Sequence, residues 1–151
     1  MKLGLLTAMF SDKPLKEVLN QIHPLGLQTV ELGAGNYPGD PHCPVQELLK
    51  SKPKRADLLA LIKGEGLEIS ALSCHGNPLH PDDAFAKANH KVTLDAIKLA
   101  NLLGLNVVNG FSGCPGSGPW DKKPNWVTCA WPPDYLEILE WQWEKKVIPY
   151  W

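Results

Sequence analysis

Two residues in this sequence have a type and a setting suited to moving a proton. Glu31 closes the short run TVEL, and His75 closes the run EISALSCH. A carboxylate at the end of an apolar run can bind a hydroxyl, orient a histidine or help to position a metal; the plainer alternative is a salt bridge at the rim of the fold. An imidazole in the same position can bind substrate, hydrogen-bond a carboxylate or transfer a proton; the alternative is a ring satisfied by a backbone carbonyl. Asn77, Asn109 and Ser112 stand at comparable run ends, each beside a glycine that permits close backbone approach to a ligand. Phe10 ends the first apolar run, KLGLLTAMF.

These positions recur because the elements recur. GLQTVELGAG, GLEISALSCHG and GLNVVNGFSG begin at Gly26, Gly66 and Gly104, about 40 residues apart. Each opens with a glycine suited to ending a helix, continues as a short strand and closes in a glycine-containing turn. Helical patterns fill the intervals. Pro14 suits a first helical turn with Asp12 or Ser11 as cap, and Leu15, Val18, Leu19 and Ile22 make a buried face. A second helical region runs from about Val45 to Lys63, broken at Pro53. A third starts at Asp82 or Asp83, with Phe85, Ala88, Val92, Ala96, Leu99 and Leu103 on its apolar side. A fourth begins near Asp134, with Leu136, Leu139, Trp143 and Val147 at helical spacing.

Strands alternating with helices argue for a parallel sheet. A small doubly wound sheet and half of a (β/α)₈ barrel both fit, and in both a ligand lies beyond the carboxyl ends of the strands. The reading taken is α/β: a single domain, 1–151, of about four βα units forming part of a TIM barrel. A complete barrel takes about 250 residues. Four units leave two open sheet edges, and the apolar last helix lacks a partner, so the expectation is a truncated chain.

Composition narrows the function. A formal charge of −1 gives no broad basic surface for nucleic acid or an anionic membrane. The apolar runs are too short to span a bilayer, and MKLGLLTAMFSDKP reads as a first strand rather than a signal peptide, so a cytoplasmic address is expected. Cys43, Cys74, Cys114 and Cys129 form no CxxC pair and are expected as reduced thiols. His42, Cys43, Cys74 and His75 are zinc-ligand types, but their adjacent pairs lack zinc spacing. His80 reads as a loop or helix-entry residue, and His23, His42 and His90 as ordinary helix or loop residues. GCPGSG is not followed by the GK[ST] of a P-loop. The loop from Phe111 to Pro133 carries Trp120, Trp126 and Trp131, which either wall a pocket and face a sugar ring or pin the loop to the fold.

VELG, SCHGNPLHP, and FSGCPG with NWVTCAWPPDYLEILEWQWEKKVIPYW resemble the sugar phosphate isomerase/epimerase family of the xylose-isomerase-like TIM-barrel superfamily, over the whole chain. The resemblance implies a (β/α)₈ enzyme acting on a small sugar or polyol derivative. It implies one divalent ion (manganese, magnesium or zinc) in the full-length parent, polarising a carbonyl while carboxylates remove and return a proton through an enediolate-like state. The metal ligands of that family come mainly from later strands, so no residue here is matched to them, and this chain is expected to bind no metal strongly and to be inactive alone. Carried over is a first-half substrate wall: Glu31 and His75 as catalytic candidates, with Phe10, Asn77, Asn109, Ser112 and Trp120 as substrate contacts. Two rivals remain. One is an apurinic-site endonuclease type of phosphodiesterase, disfavoured by the lack of basic surface. The other is a non-enzymatic half-barrel module that pairs with a copy or a partner through its open edges.

Overall fold

In the computed structural model, which describes residues 1–151, four parallel strands lie side by side in sequence order: β1 (Gly4–Leu6), β2 (Thr29–Gly33), β3 (Glu68–Ser73) and β4 (Val108–Asn109). Between them run α1 (Leu15–Ile22), α2 (Val45–Lys50), α3 (Lys52–Gly64) and α4 (Asp83–Leu103). After β4 come α5 (Asp134–Gln142), a π-helical turn (Trp143–Val147) and the short α6 (Ile148–Tyr150). The fold class is therefore α/β with a parallel sheet, as the alternating pattern predicts. Sequential strand order is that of a (β/α)₈ arc; a doubly wound sheet reverses its order partway.

The chain divides into two compact units. The first comprises Met1–His75 and Val92–Gly110; the second comprises Gly76–Lys91 and Phe111–Trp151. The first unit holds the sheet and its core. Val30 and Leu32 of β2 and Leu72 of β3 are fully buried with Val18, Leu19 and Ile22 of α1, Leu48 of α2, Leu58 and Ile62 of α3, and Ala96, Leu99 and Leu103 of α4. Each buried aliphatic side chain of this size contributes about 1.5–3 kcal/mol. The register aligns Leu32 with Leu72 and Leu72 with Val108, so these residues share the helix-covered face.

β3 departs from simple alternation. Thr29 and Val30 pair with Glu68 and Ile69, but Glu31 pairs with Ala71, so Ser70 is an extra residue in a bulge. The Ser70 hydroxyl donates to the Val30 carbonyl at 3.2 Å, which occupies a polar side chain at the irregularity. Beyond the bulge Leu72 returns to the core face, three residues from Ile69 rather than two or four.

Several local expectations are corrected. β1 ends at Leu6, and Thr7–Phe10 turns into a 3₁₀ helix. Phe10 therefore ends that turn, partly buried against the first unit's core. Neither Ser11 nor Asp12 caps α1, whose N-terminal flank is Pro14 without a side-chain hydrogen bond. The second helical region breaks at Ser51, whose hydroxyl accepts from the Lys54 N–H; Pro53 sits in the first turn of α3, where its missing donor costs nothing. α4 starts as predicted: Asp82 Oδ1 accepts from the N–H groups of Ala84 and Phe85 at 2.9 and 3.1 Å. These bonds, that to Phe85 foremost, hold its carboxyl below the usual carboxylate range. Phe85 and Ala88, however, are exposed, and the buried stripe of α4 is Ala96, Leu99, Ala100 and Leu103.

His42 is buried as a structural residue of the first unit. Its Nδ1 lies 2.9 Å from Thr7 Oγ1 and its Nε2 2.8 Å from the Lys13 carbonyl oxygen. Cys43 beside it is fully buried, and that burial, with Asp40 nearby, pushes its thiol up to about 12. Burial likewise raises the Cys74 and Cys114 thiols, whereas Cys129 is exposed.

Leu99→Ala should lower unfolding stability by about 2–5 kcal/mol in urea titrations, because a cavity opens in the core; Phe85→Ala should change it by no more than about 0.5 kcal/mol. Equal losses at the two positions would overturn the assignment of the buried face of α4. With a disulfide reagent under native conditions, Cys129 should react first, and Cys43 only on unfolding.

Candidate functional site

On the face opposite the helix-packed core, alternation along β2 places Thr29 and Glu31, and the bulge in β3 brings Ser73 to the same face. Glu31, Ala71 and Ser73 share that face, and Asn109 joins it through its register with Ser73. The Ser73 hydroxyl donates to Glu31 Oε1, and Ser73 itself is fully buried. Glu31 is only partly buried, so its carboxylate is oriented by one neighbour and still reachable by solvent. Asn109 is half-buried, and its carbonyl accepts from the Cys74 N–H at 2.8 Å.

His75 leaves the strand direction. Its N–H donates to the Tyr37 carbonyl at 2.9 Å and its carbonyl accepts from the Tyr37 N–H at 3.1 Å, an antiparallel bridge to the loop after β2. That loop turns on Gly35, at φ +104, where an added Cβ would meet Val92 Cγ1 at 2.4 Å. Asn36 follows at φ +50, its Nδ2 donating to Cys74 Sγ at 3.3 Å. In the first unit, then, the structure gathers Glu31, Ser73 and Asn109 on one sheet face and fixes the backbone of His75 at the end of the next turn.

The second unit holds the other candidates. Asn77 is a clamp: its Oδ1 accepts from the Cys114 N–H at 2.8 Å and its Nδ2 donates to the Cys114 carbonyl at 2.8 Å. The same Oδ1 accepts from the Leu79 N–H at 3.2 Å. Gly113, at φ +101, lies so close to Leu79 that an added Cβ would meet its Cγ at 2.7 Å. Ser112 accepts the Trp151 indole N–H at its carbonyl, 2.9 Å away, and His90 Nδ1 lies 2.6 Å from the Tyr150 hydroxyl, so the last residues are tied back to this unit. Trp120, Trp126 and Trp131 are each 76% exposed, which argues against their pinning the loop by burial.

What orders the Phe111–Pro133 loop is polar. Gln142, only 5% exposed, places Nε2 at 2.7 Å from the Asn125 carbonyl, 3.1 Å from that of Gly116 and 3.4 Å from that of Pro115. Asp121 accepts from the Ser117 and Lys122 N–H groups at 2.9 Å, which lowers its carboxyl, the Ser117 bond chiefly. Asn77, Ser112, Asn125 and Gln142 line a cavity of about 220 Å³ with Phe111, Trp126, Leu139, Trp143 and Val147. Trp120 is not among its walls.

Sequence reasoning missed two residues. The signal for Ser73 was the broken alternation of EISALS, in which Ile69 and Leu72 stand three apart. Gln142 is the one buried residue of α5, beside the half-buried Ile138 and Leu139, whereas Leu136 and Trp143 of the expected apolar stripe are exposed. As for a metal, no group of three or more His, Cys, Asp or Glu side chains converges anywhere in the chain. No helix is long and apolar enough to cross a membrane.

No protein-family model matches the chain. It is 39% identical, over 153 aligned residues, to Uncharacterized protein YfiH of Bacillus subtilis (strain 168), a match that takes in the whole chain and 49% of that relative. The chain thus spans about half the length of the curated relative it matches. A crystal structure of D-psicose 3-epimerase, determined in the presence of D-fructose, overlaps 94% of this chain and 46% of its own, at TM-score 0.49 and 15% identity. A xylose isomerase domain containing protein from Salmonella typhimurium LT2 overlaps 99% of this chain and 46% of its own, at TM-score 0.43 and 14% identity.

Proposed function

We propose that residues 1–151 form the first four βα units of a sugar or sugar-phosphate isomerase or epimerase. The observation that carries this reading is a polar pair on the sheet face opposite the helix-packed core: a Glu31 carboxylate in the middle of β2, oriented by the buried hydroxyl of Ser73, the last residue of β3, in a sequentially ordered parallel sheet. In such sheets the carboxyl ends of the strands are where reacting groups collect. The motif resemblance points the same way, and the match to about half of a longer relative supports a partial barrel.

In this reading Glu31 takes a proton from, or returns it to, the carbon beside a sugar carbonyl, or holds the adjoining hydroxyl. Ser73 donates to one oxygen of the carboxylate and fixes its rotamer, leaving the second oxygen for substrate. Asn109 and His75 extend the polar wall. The divalent ion that the resemblance implies would polarise the carbonyl. This chain's own residues do not make a site for it, since Glu31 stands without two further ligand side chains beside it. The donors would come from polypeptide outside residues 1–151.

The reading is tested by joining residues 1–151 to the part of the Bacillus subtilis relative that lies outside the match. With Mn²⁺ or Mg²⁺ in D₂O, the folded hybrid should exchange deuterium into the carbon next to the carbonyl of a ketose or ketose phosphate. Residues 1–151 alone should show no exchange. Glu31→Gln in the hybrid should lower kcat by about 10²–10⁴-fold with an unchanged melting profile. Exchange by the isolated chain, or full activity in Glu31→Gln, would refute the assignment.

A further inference from the structure

The turn after β2 is held more tightly than a connection between two elements requires. Its first residue is tied to the candidate site, where the Ala34 N–H donates to the Ser73 carbonyl at 2.8 Å. The turn then closes on itself: the Gly35 N–H donates to the Gly39 carbonyl at 3.0 Å, and the Gly39 N–H to the Asn36 carbonyl at 2.9 Å. It folds back over the end of β2, so that a Cβ at Gly33 would meet the Gly39 carbonyl oxygen at 2.6 Å. Asn36, at φ +50, takes the left-handed conformation that residues with a side chain seldom adopt. Such backbone persists where its surroundings over-determine it, and it clusters at ligand sites.

The side chain that this turn presents is Tyr37, which is 69% exposed. Its backbone forms the antiparallel bridge with His75, the two residues exchanging both N–H···O bonds. Directly opposed residues in such a pair carry their side chains on the same side, with Cβ atoms about 4.5–5.5 Å apart. The Tyr37 side chain therefore starts beside that of His75, two residues beyond the Ser73 that orients Glu31. A tyrosine on fixed backbone offers a large amphipathic contact and loses little freedom when a ligand covers it.

The first unit offers no competing ring. Among Phe, Tyr and Trp it contains only Phe10 and Tyr37, and Phe10 is packed partly against the core. Trp120, the ring that the sequence sets against a sugar, belongs to the second unit.

We propose that Tyr37 is the stacking wall of the Glu31 site, its ring face taking the C–H face of a cyclic sugar while Glu31 and Asn109 meet hydroxyls. The negative face of an aromatic ring attracts the slightly positive C–H groups that a sugar ring exposes between its hydroxyls. The choice of a sugar rests on the isomerase reading; the placement of the ring beside His75 does not.

The test uses the 1–151 chain with ¹³C in its tyrosine rings. The chain has three tyrosines, Tyr37, Tyr135 and Tyr150, and Tyr37→Phe identifies the Tyr37 signals. D-Fructose should shift the Tyr37 ring signals saturably and leave those of Tyr135 and Tyr150 in place. Glycerol, which has hydroxyls but no ring, should shift none. Followed at the His75 amide, Tyr37→Leu should bind D-fructose about threefold to tenfold more weakly, and Tyr37→Phe, which keeps the ring, less than about twofold more weakly. In the hybrid enzyme described above, Tyr37→Leu should raise KM for the ketose by the same factor and lower kcat by less. An unmoved Tyr37 signal, an equal response to glycerol, or wild-type affinity in Tyr37→Leu would overturn the proposal. Deuterium exchange by the hybrid together with an unmoved Tyr37 signal removes the stacking wall alone. A saturable Tyr37 shift together with a folded hybrid that exchanges no deuterium removes the isomerase reading alone.

Discussion

The arrangement of the first unit depends on one extra residue in β3. Without the bulge at Ser70, the register set by Val30 and Ile69 would pair Glu31 with Ser70 and Leu32 with Ala71. Leu72 would then face away from the helices and Ser73 would enter the core, because a one-residue slip exchanges the two faces of a strand. The bulge returns Leu72 to the core beside Leu32 and sets Ser73 beside Glu31. Bulges are uncommon in parallel pairs, and they recur where a side chain must be re-aimed. Packing and the candidate chemistry thus rest on the same irregularity.

The second unit is organised by a different means. Its long loop buries little of its apolar side chain, and Phe111 and its tryptophans stay exposed. Order comes from side chains that satisfy backbone groups: Asn77 on Cys114, Asp121 on Ser117 and Lys122, and Gln142 on three carbonyls. For the buried amide of Gln142 each bond contributes about 0.5–1.5 kcal/mol net, and leaving a buried carbonyl unmet costs more.

Much of the fold was legible in the sequence because burial and periodicity agree there. Val18, Leu19 and Ile22 repeat at helical spacing and are buried; Asp82 stands where a cap belongs and caps; Gly26, Gly66 and Gly104 all take positive φ. Glu31 was legible as a strand carboxylate, although β2 runs on to Gly33 and sets it in mid-strand rather than at the end; its partner Ser73 was not, since alternation fails across a bulge. Phe10 looked like a strand end because a 3₁₀ turn of apolar residues carries the same letters as a strand. Phe85 and Ala88 fit the period of α4, yet that helix buries only its C-terminal half, and periodicity does not tell how far along a helix its partner extends. Gln142 was hidden because the apolar period of its helix points to Leu136 and Trp143, which are exposed, while the amide itself is buried.

The most direct test of the central claim is the β2–β3 register in solution, read from interstrand nuclear Overhauser effects on labelled protein. The bulge predicts contacts of Val30 with Ile69 and of Glu31 with Ala71, Ser70 having no partner across the strand. Continuous pairing, with Glu31 opposite Ser70 and Leu32 opposite Ala71, would contradict it: Ser73 would then lie on the wrong face to orient the carboxylate.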